Sequence, residues 1–169
     1  GAIFTNDAKL AEKIRMIVNH GEKIKYHHDI IGCNSRLDSI QAEILNIKLK
    51  YLDDYNSNRK IMANNYNIAF SEIDEIQTPK VNNFSDHVYH QYTLKIKDGR
   101  RNKFKDYLSN FGIPSMIYYP IPIHNQFPYR NDQLLKNSEL LSKEVISLPI
   151  HSEIESSNQQ YIIEIVKNF

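Results

Sequence analysis

The sequence predicts a mixed α/β architecture built around a compact α+β domain, and three observations carry that prediction. Residues 87–96 alternate apolar and polar positions with period two and are rich in aromatic and β-branched side chains, the pattern of a half-buried strand. Several other stretches repeat apolar residues at spacings of three to four, as helices do, and they interleave with strand patterns. Gly99, Gly112, Pro79 and Pro149 punctuate these runs at their ends rather than in their middles.

Taken in order, residues 3–5 read as a buried strand that ends at Asn6, a good helix N-cap. Residues 7–20 then place Leu10, Ala11, Ile14, Ile17 and Val18 on one helical face, with Gly21 as the stop. Residues 22–33 are polar, aromatic and irregular, which predicts a loop. From Ser35 the apolar positions Leu37, Ile40, Ile44, Ile47, Leu52 and Tyr55 follow helical spacing, and no Gly or Pro intervenes before Pro79. At ~1.5 Å per residue an unbroken helix over residues 35–70 would exceed ~50 Å. Such a helix kinks, joins two domains or packs on a partner subunit, and residues 53–58 are its expected weak point. After strand 87–96, Asp98 and Gly99 make a turn, and residues 101–111 form an amphipathic helix stopped by Gly112. Residues 113–118 read as a strand, 134–145 as a helix and 146–148 as a short strand. Ser156 and Gln159 have capping-box spacing at the start of a last helix reaching Lys167.

Bulk composition narrows the function classes. The chain has 169 residues with 21 Lys+Arg against 20 Asp+Glu, so its formal charge of +1 carries no nucleic-acid footprint. Cys33 is the only cysteine, which excludes an internal disulfide and points to a reducing compartment. No apolar run approaches the ~18 residues of a bilayer span. A soluble cytoplasmic protein is the expectation, with no membrane partner. Residues 1–5 read as a strand already under way, so a fragment of a longer polypeptide is expected.

One segment stands out chemically. Residues 118–129 hold three prolines, three tyrosines, Phe127 and His124. Proline fixes φ and donates no amide hydrogen, so the segment must be a stiff, extended surface loop. It is either a binding element or a hydrophobic lid over a core edge. His27, His28 and Asp29 are adjacent and point in different directions, with no third ligand at useful spacing, so no metal site is expected. No nucleophile elbow and no glycine-rich phosphate loop is present. Asn34 and Ser35 read as N-cap residues of the long helix, with Arg36 in its first turn. That arrangement is either an anion site or a plain cap with Arg36 paired to Asp38 or another acid.

The ordered segments GAIFTND (1–7), GCNSRLDSIQA (32–42), HVYHQY (87–92), YPIPIHNQ (119–126) and SLPIH (147–151) resemble the C-terminal part of the DegT/DnrJ/EryC1/StrS family of sugar aminotransferases. The resemblance runs from residue 1 to residue 169. It implies an aspartate-aminotransferase-like fold (pyridoxal-phosphate transferase type I) lacking most of its large domain. Residues 1–55 would end that large domain and begin the linking helix, and residues 56–169 would form the small C-terminal α+β domain. It further implies the cofactor pyridoxal 5′-phosphate (PLP, or PMP in its amine form) and a homodimer with shared active sites. The implied reaction moves an amino group from glutamate to a nucleotide-linked keto-deoxysugar, best matched by a dTDP-3-keto-6-deoxyhexose, in surface or antibiotic sugar biosynthesis.

Several residue roles follow from the resemblance alone. Asn34 matches an asparagine that reaches the cofactor phosphate of the other subunit, and Arg36 supports that turn or the phosphates of the substrate. His124 matches a loop histidine near cofactor and sugar. Tyr118, Tyr26 and His28 match segments facing the nucleotide sugar. Cys33 departs from the family, where an aromatic residue is common. The Schiff-base lysine is expected upstream of Gly1, so no catalytic residue is assigned here and the chain alone is expected to be inactive. A PMP-dependent sugar dehydratase, with histidine in place of that lysine, and a non-catalytic dimerisation or regulatory module from a truncated gene are the alternatives.

Overall fold

Asp7, rather than Asn6, caps the first helix: its carboxylate accepts the Lys9 and Leu10 amide hydrogens at 2.9 and 3.1 Å. A charged cap gains from the helix dipole as well as from these bonds. In the computed structural model, which describes residues 1–169, the chain divides into two units, Gly1–Lys50 and Tyr51–Phe169.

In the first unit, α1 (Ala8–Val18) turns Ala11, Ile14, Ile17 and Val18 to its half-buried face. It ends where His20 and Gly21 take φ of 60° and 79° and the Gly21 amide bonds back to the Met16 carbonyl at 2.7 Å. Gly21 and Gly32 then meet backbone to backbone. A Cβ on Gly21 would collide with the Ile30 carbonyl, and one on Gly32 with the Gly21 amide. This approach folds the segment predicted as a loop into a small antiparallel hairpin, β1 (Glu22–Ile24) and β2 (His27–His28), with Tyr26 at a φ of 68° in its turn. The expected strand at residues 3–5 is absent. Ile3 and Phe4 are 70% and 91% exposed, since no strand of this chain pairs with them.

The expected long helix is two helices, α2 (Ser39–Leu49) and α3 (Leu52–Phe70). The break falls at Lys50 and Tyr51 rather than within residues 53–58. Asp53 and Asp54 sit in the first turn of α3, where exposed amide hydrogens favour negative charge, so the acids begin a helix instead of weakening one.

The second unit packs helices on an antiparallel sheet of order β3-β4-β5, formed by β3 (Ile76–Gln77), β4 (Tyr92–Ile96) and β5 (Val145–Leu148). Alternation along β4 buries Tyr92, Leu94 and Ile96 on one face. Leu148 and Ile146 stand opposite Tyr92 and Leu94 on the same face. Against them pack Tyr66 and Phe70 of α3, Phe104 and Leu108 of α4 (Arg101–Asn110), and Ile162, Ile163 and Val166 of α6 (Ser156–Lys167). Each such side chain contributes about 1.5–3 kcal/mol of burial. The buried Tyr66 and Tyr92 hydroxyls donate to the Pro149 carbonyl (3.1 Å) and to Asn67 Oδ1 (2.7 Å).

Three local expectations change here. The strand expected over residues 87–96 begins only at Tyr92, because the His87 ring accepts the Tyr89 amide hydrogen at 2.8 Å and Tyr89 turns to a φ of 47°. The strand expected over residues 113–118 is reduced to one bridge, Met116 with Ser147, since Pro114 has no amide hydrogen to give. The capping box does not form. Glu155 holds the cap position, and the Gln159 amide instead donates to the Met62 carbonyl at 2.8 Å and accepts from Asn65 at 3.0 Å, joining α6 to α3.

Candidate functional site

The Met116–Ser147 bridge anchors the start of the Pro-rich loop to the sheet, through amide–carbonyl bonds of 2.7 and 3.2 Å. Beyond it, Pro120 and Pro122 keep the backbone extended until residues 123–125 and 127–129 wind into two single 3-10 turns. The loop was expected to be extended throughout. Each 3-10 turn closes with its own amide–carbonyl bond, Gln126 to Ile123 and Tyr129 to Gln126, both at 3.0 Å. The Asn131 amide then donates to the His124 carbonyl at 3.2 Å and closes the segment on itself.

Between this loop and α5 (Lys136–Glu144) lies a cavity of about 880 Å³. Tyr118 and His124 both line it, so two sequence-predicted residues meet in one place. His124 is only 5% exposed, and its Nε2 lies 3.3 Å from Glu139 Oε1 on α5. Gln126, Tyr129, Asn131 and Ser142 belong to the polar part of the wall, with Tyr119, Gln133 and Ser138. No Asp, Glu, Lys or Arg lines the cavity. A wall of phenols, amides and hydroxyls over aliphatic and proline surface suits a neutral, hydroxyl-rich ligand; a phosphate would find no cation there.

The remaining candidates lie in the first unit. Asn34 is not a helix cap. It forms a bridge with Asn19, and the cap of α2 is Asp38, whose carboxylate accepts the Ile40 amide hydrogen at 2.8 Å. The aspartate wins because its register places it directly before the first helical turn, whereas the Ser35 amide is already bonded to the Val18 carbonyl at 2.9 Å. Arg36 therefore stands outside the helix, and its Nε donates to Asn34 Oδ1 at 3.0 Å rather than pairing with an acid. The guanidinium ends and the Asn34 amide hydrogens have no protein partner. This donor set fits a phosphate. The hairpin carries Tyr26 and His28. Tyr26 is 76% exposed with the Lys25 ammonium 5.0 Å from its ring centroid. His28 Nδ1 lies 3.0 Å from the His20 carbonyl, and its Nε2 is 3.7 Å from the Glu22 carboxylate. His27, His28 and Asp29 do not converge as a group of three metal ligands.

Glu139, Gln126, Tyr129 and Asn131 were not singled out by sequence. Glu139 lies fifteen residues after His124 inside an ordinary amphipathic helix, and no spacing rule links the two. The local composition of the Pro-rich loop was the only available signal for the others.

Comparison with known proteins places the whole chain. The sequence model of the DegT/DnrJ/EryC1/StrS aminotransferase family matches residues 1–167. The chain is 40% identical to the "Pleiotropic regulatory protein" of Geobacillus stearothermophilus, over all of this chain and 46% of that protein. It is 38% identical to the dTDP-3-amino-3,6-dideoxy-alpha-D-galactopyranose transaminase of Aneurinibacillus thermoaerophilus, again over all of this chain and 46% of that protein. The crystal structure of S. venezuelae DesV in complex with a ketimine intermediate superposes with a TM-score of 0.87 and 33% identity, over 97% of this chain and 45% of that one. The chain thus spans less than half the length of these relatives.

Proposed function

The chain belongs to the DegT/DnrJ/EryC1/StrS aminotransferase family, and from that membership we propose that it is the C-terminal part of an enzyme moving an amino group from glutamate to a nucleotide-linked keto-deoxysugar. The observation that carries the reading is the uncharged cavity in which His124 and Tyr118 meet, within a chain matched to the family over nearly its full length. A dTDP-3-keto-6-deoxyhexose is the preferred substrate, in keeping with the 38% identity to a transaminase of that sugar class.

Members of the family depend on pyridoxal phosphate. When bound, that group supplies the electron sink for the amino transfer. Asn34 would hold the cofactor phosphate of the other subunit through its unpartnered amide hydrogens, and Arg36 would support that turn or hold the phosphates of the substrate through its free guanidinium hydrogens. Tyr118 and His124 bind and orient the sugar, and the prolines give them a fixed frame, which lowers the entropy cost of ordering the pocket. Tyr26 and His28 face the nucleotide end. Ile40, Ile44, Leu45, Ile47 and Leu49 of α2 are all at least half exposed, which supports a homodimer that covers them. No helix is long and apolar enough to cross a membrane, in keeping with work on soluble nucleotide sugars in the cytoplasm.

A regulatory role is the second reading, favoured by the 40% identity to a protein named for regulation. Incubating the full-length protein with glutamate, pyridoxal phosphate and a panel of nucleotide-linked 3-keto and 4-keto sugars separates the two. Formation of the amino sugar with stoichiometric 2-oxoglutarate, fastest for the dTDP-3-keto-6-deoxyhexose, supports the enzyme. Absence of turnover with every sugar favours the regulator.

A further inference from the structure

We propose that Glu139 is a positioning residue for His124. It takes the hydrogen bond from Nε2 and thereby turns the Nδ1 lone pair into the cavity as the acceptor for a hydroxyl of the sugar. The inference rests on reading that cavity as the sugar site.

Three observations fix the arrangement. His124 Nε2 and Glu139 Oε1 are 3.3 Å apart, with the histidine side chain 6% and the glutamate side chain 31% exposed. A contact this sheltered from water holds one ring orientation far better than a surface pair does. Second, Nδ1 has no protein partner, yet the protein contains no buried side-chain nitrogen or oxygen without one, so Nδ1 is open to solvent, and His124 is one of the residues that line the cavity. Third, both ends of the contact are themselves held. Glu139 lies in the first turn of α5, where helix amides favour its charge, and the Ser142 hydroxyl donates to its carbonyl at 2.8 Å. The His124 carbonyl accepts the Asn131 amide hydrogen at 3.2 Å.

The chemistry follows from the tautomer. A neutral imidazole with its proton on Nε2 presents a bare lone pair at Nδ1. A hydroxyl donates to that lone pair, and His124 carries the only imidazole of the cavity wall. Without Glu139 the ring can rotate about χ2 and present a C–H in place of the acceptor. A carboxylate that fixes a histidine's tautomer and orientation is a known way to make the ring's other nitrogen effective.

The test uses the full-length enzyme with 15N-labelled histidine. The Nε2–H of wild-type His124, sheltered by Glu139, gives a one-bond 1H–15N cross-peak that is missing in His124→Asn. The peak is expected to vanish in Glu139→Ala and to persist in Glu139→Gln, whose amide oxygen accepts the same proton. In parallel, Glu139→Ala lowers kcat/KM for the keto sugar by about tenfold to a hundredfold, and Glu139→Gln restores most of it. A cross-peak that survives in Glu139→Ala overturns the inference, as does a Glu139→Gln enzyme no better than Glu139→Ala. A wild-type rate in His124→Asn overturns the sugar reading of the cavity, and this inference with it, even where the cross-peak behaves as expected.

Discussion

Replacing Gly21 by alanine isolates the backbone contact that shapes the hairpin bearing Tyr26 and His28. Gly21 has a φ of 79°, and a Cβ there would meet the Ile30 carbonyl, which is backbone and cannot swing away. Gly99 has a φ of 67° with nothing near its would-be Cβ, so it serves as a matched control. At Gly99 the cost is the left-handed conformation alone, about 1 kcal/mol. At Gly21 the same cost is joined by displacement of the backbone around Ile30. That displacement threatens the bonds from the Asp29 amide to the Gly21 carbonyl (3.0 Å), from the Cys33 amide to the Ile17 carbonyl (2.7 Å) and from the His20 amide to the Cys33 carbonyl (3.0 Å). At about 1 kcal/mol each, loss of two or three raises the total to roughly 3–4 kcal/mol. Urea unfolding gives the two free-energy changes, and amide hydrogen exchange over residues 20–35 shows whether the loss is local. Gly21→Ala is expected to be about three times as costly as Gly99→Ala, with faster exchange confined to that segment. Equal costs, or unchanged exchange at Asp29 and Cys33, would refute the reasoning.

Other outcomes follow from the same structure. Gln159→Leu removes the bonds to Met62 and Asn65 between α6 and α3, and chemical denaturation should show a loss of about 1–2 kcal/mol. Burial raises the pKa of the Tyr66 and Tyr92 phenols above the usual value of about 10. Unfolding lets them ionise more readily, so their contribution is intact below about pH 10 and lost as pH rises further. Denaturation midpoints measured from pH 8 to pH 11 should therefore fall at the alkaline end, and a flat profile would contradict the buried phenols. The 169-residue chain mixed with pyridoxal phosphate and reduced with borohydride should show no single preferred lysine by peptide mapping, since the resemblance matches none of its lysines to the Schiff-base position. One lysine modified in full yield would contradict that.

What could be read from the sequence divides along physical lines. The helices at residues 101–110 and 156–167 were legible because one apolar face faces one core, so spacing alone reveals them. Gly112 was legible as a stop because its φ of 68° favours a residue without Cβ. The strand read over residues 113–118 shrank to one bridge, since pairing there depends on a single register with Ser147 that no local pattern encodes. Gln159 had capping-box spacing, yet the competing bond to a carbonyl ninety-seven residues away won. In the site, the loop's proline and aromatic content pointed to His124 and Tyr118, which do share a cavity. Asn34 was taken for a cap because the sequence offers several cap-forming residues in a row, and only the bridge to Asn19 decides among them. Glu139 was invisible because its partner comes from a different element.

The account turns on the claim that the His124 cavity receives the sugar. The two half-reactions of the full-length enzyme can be followed separately by rapid mixing, one with glutamate and one with the nucleotide keto-sugar. His124→Asn and Tyr118→Phe are predicted to slow the sugar half-reaction about tenfold or more while leaving the glutamate half-reaction near the wild-type rate. Equal slowing of both halves, or of neither, would contradict the assignment of this cavity to the sugar.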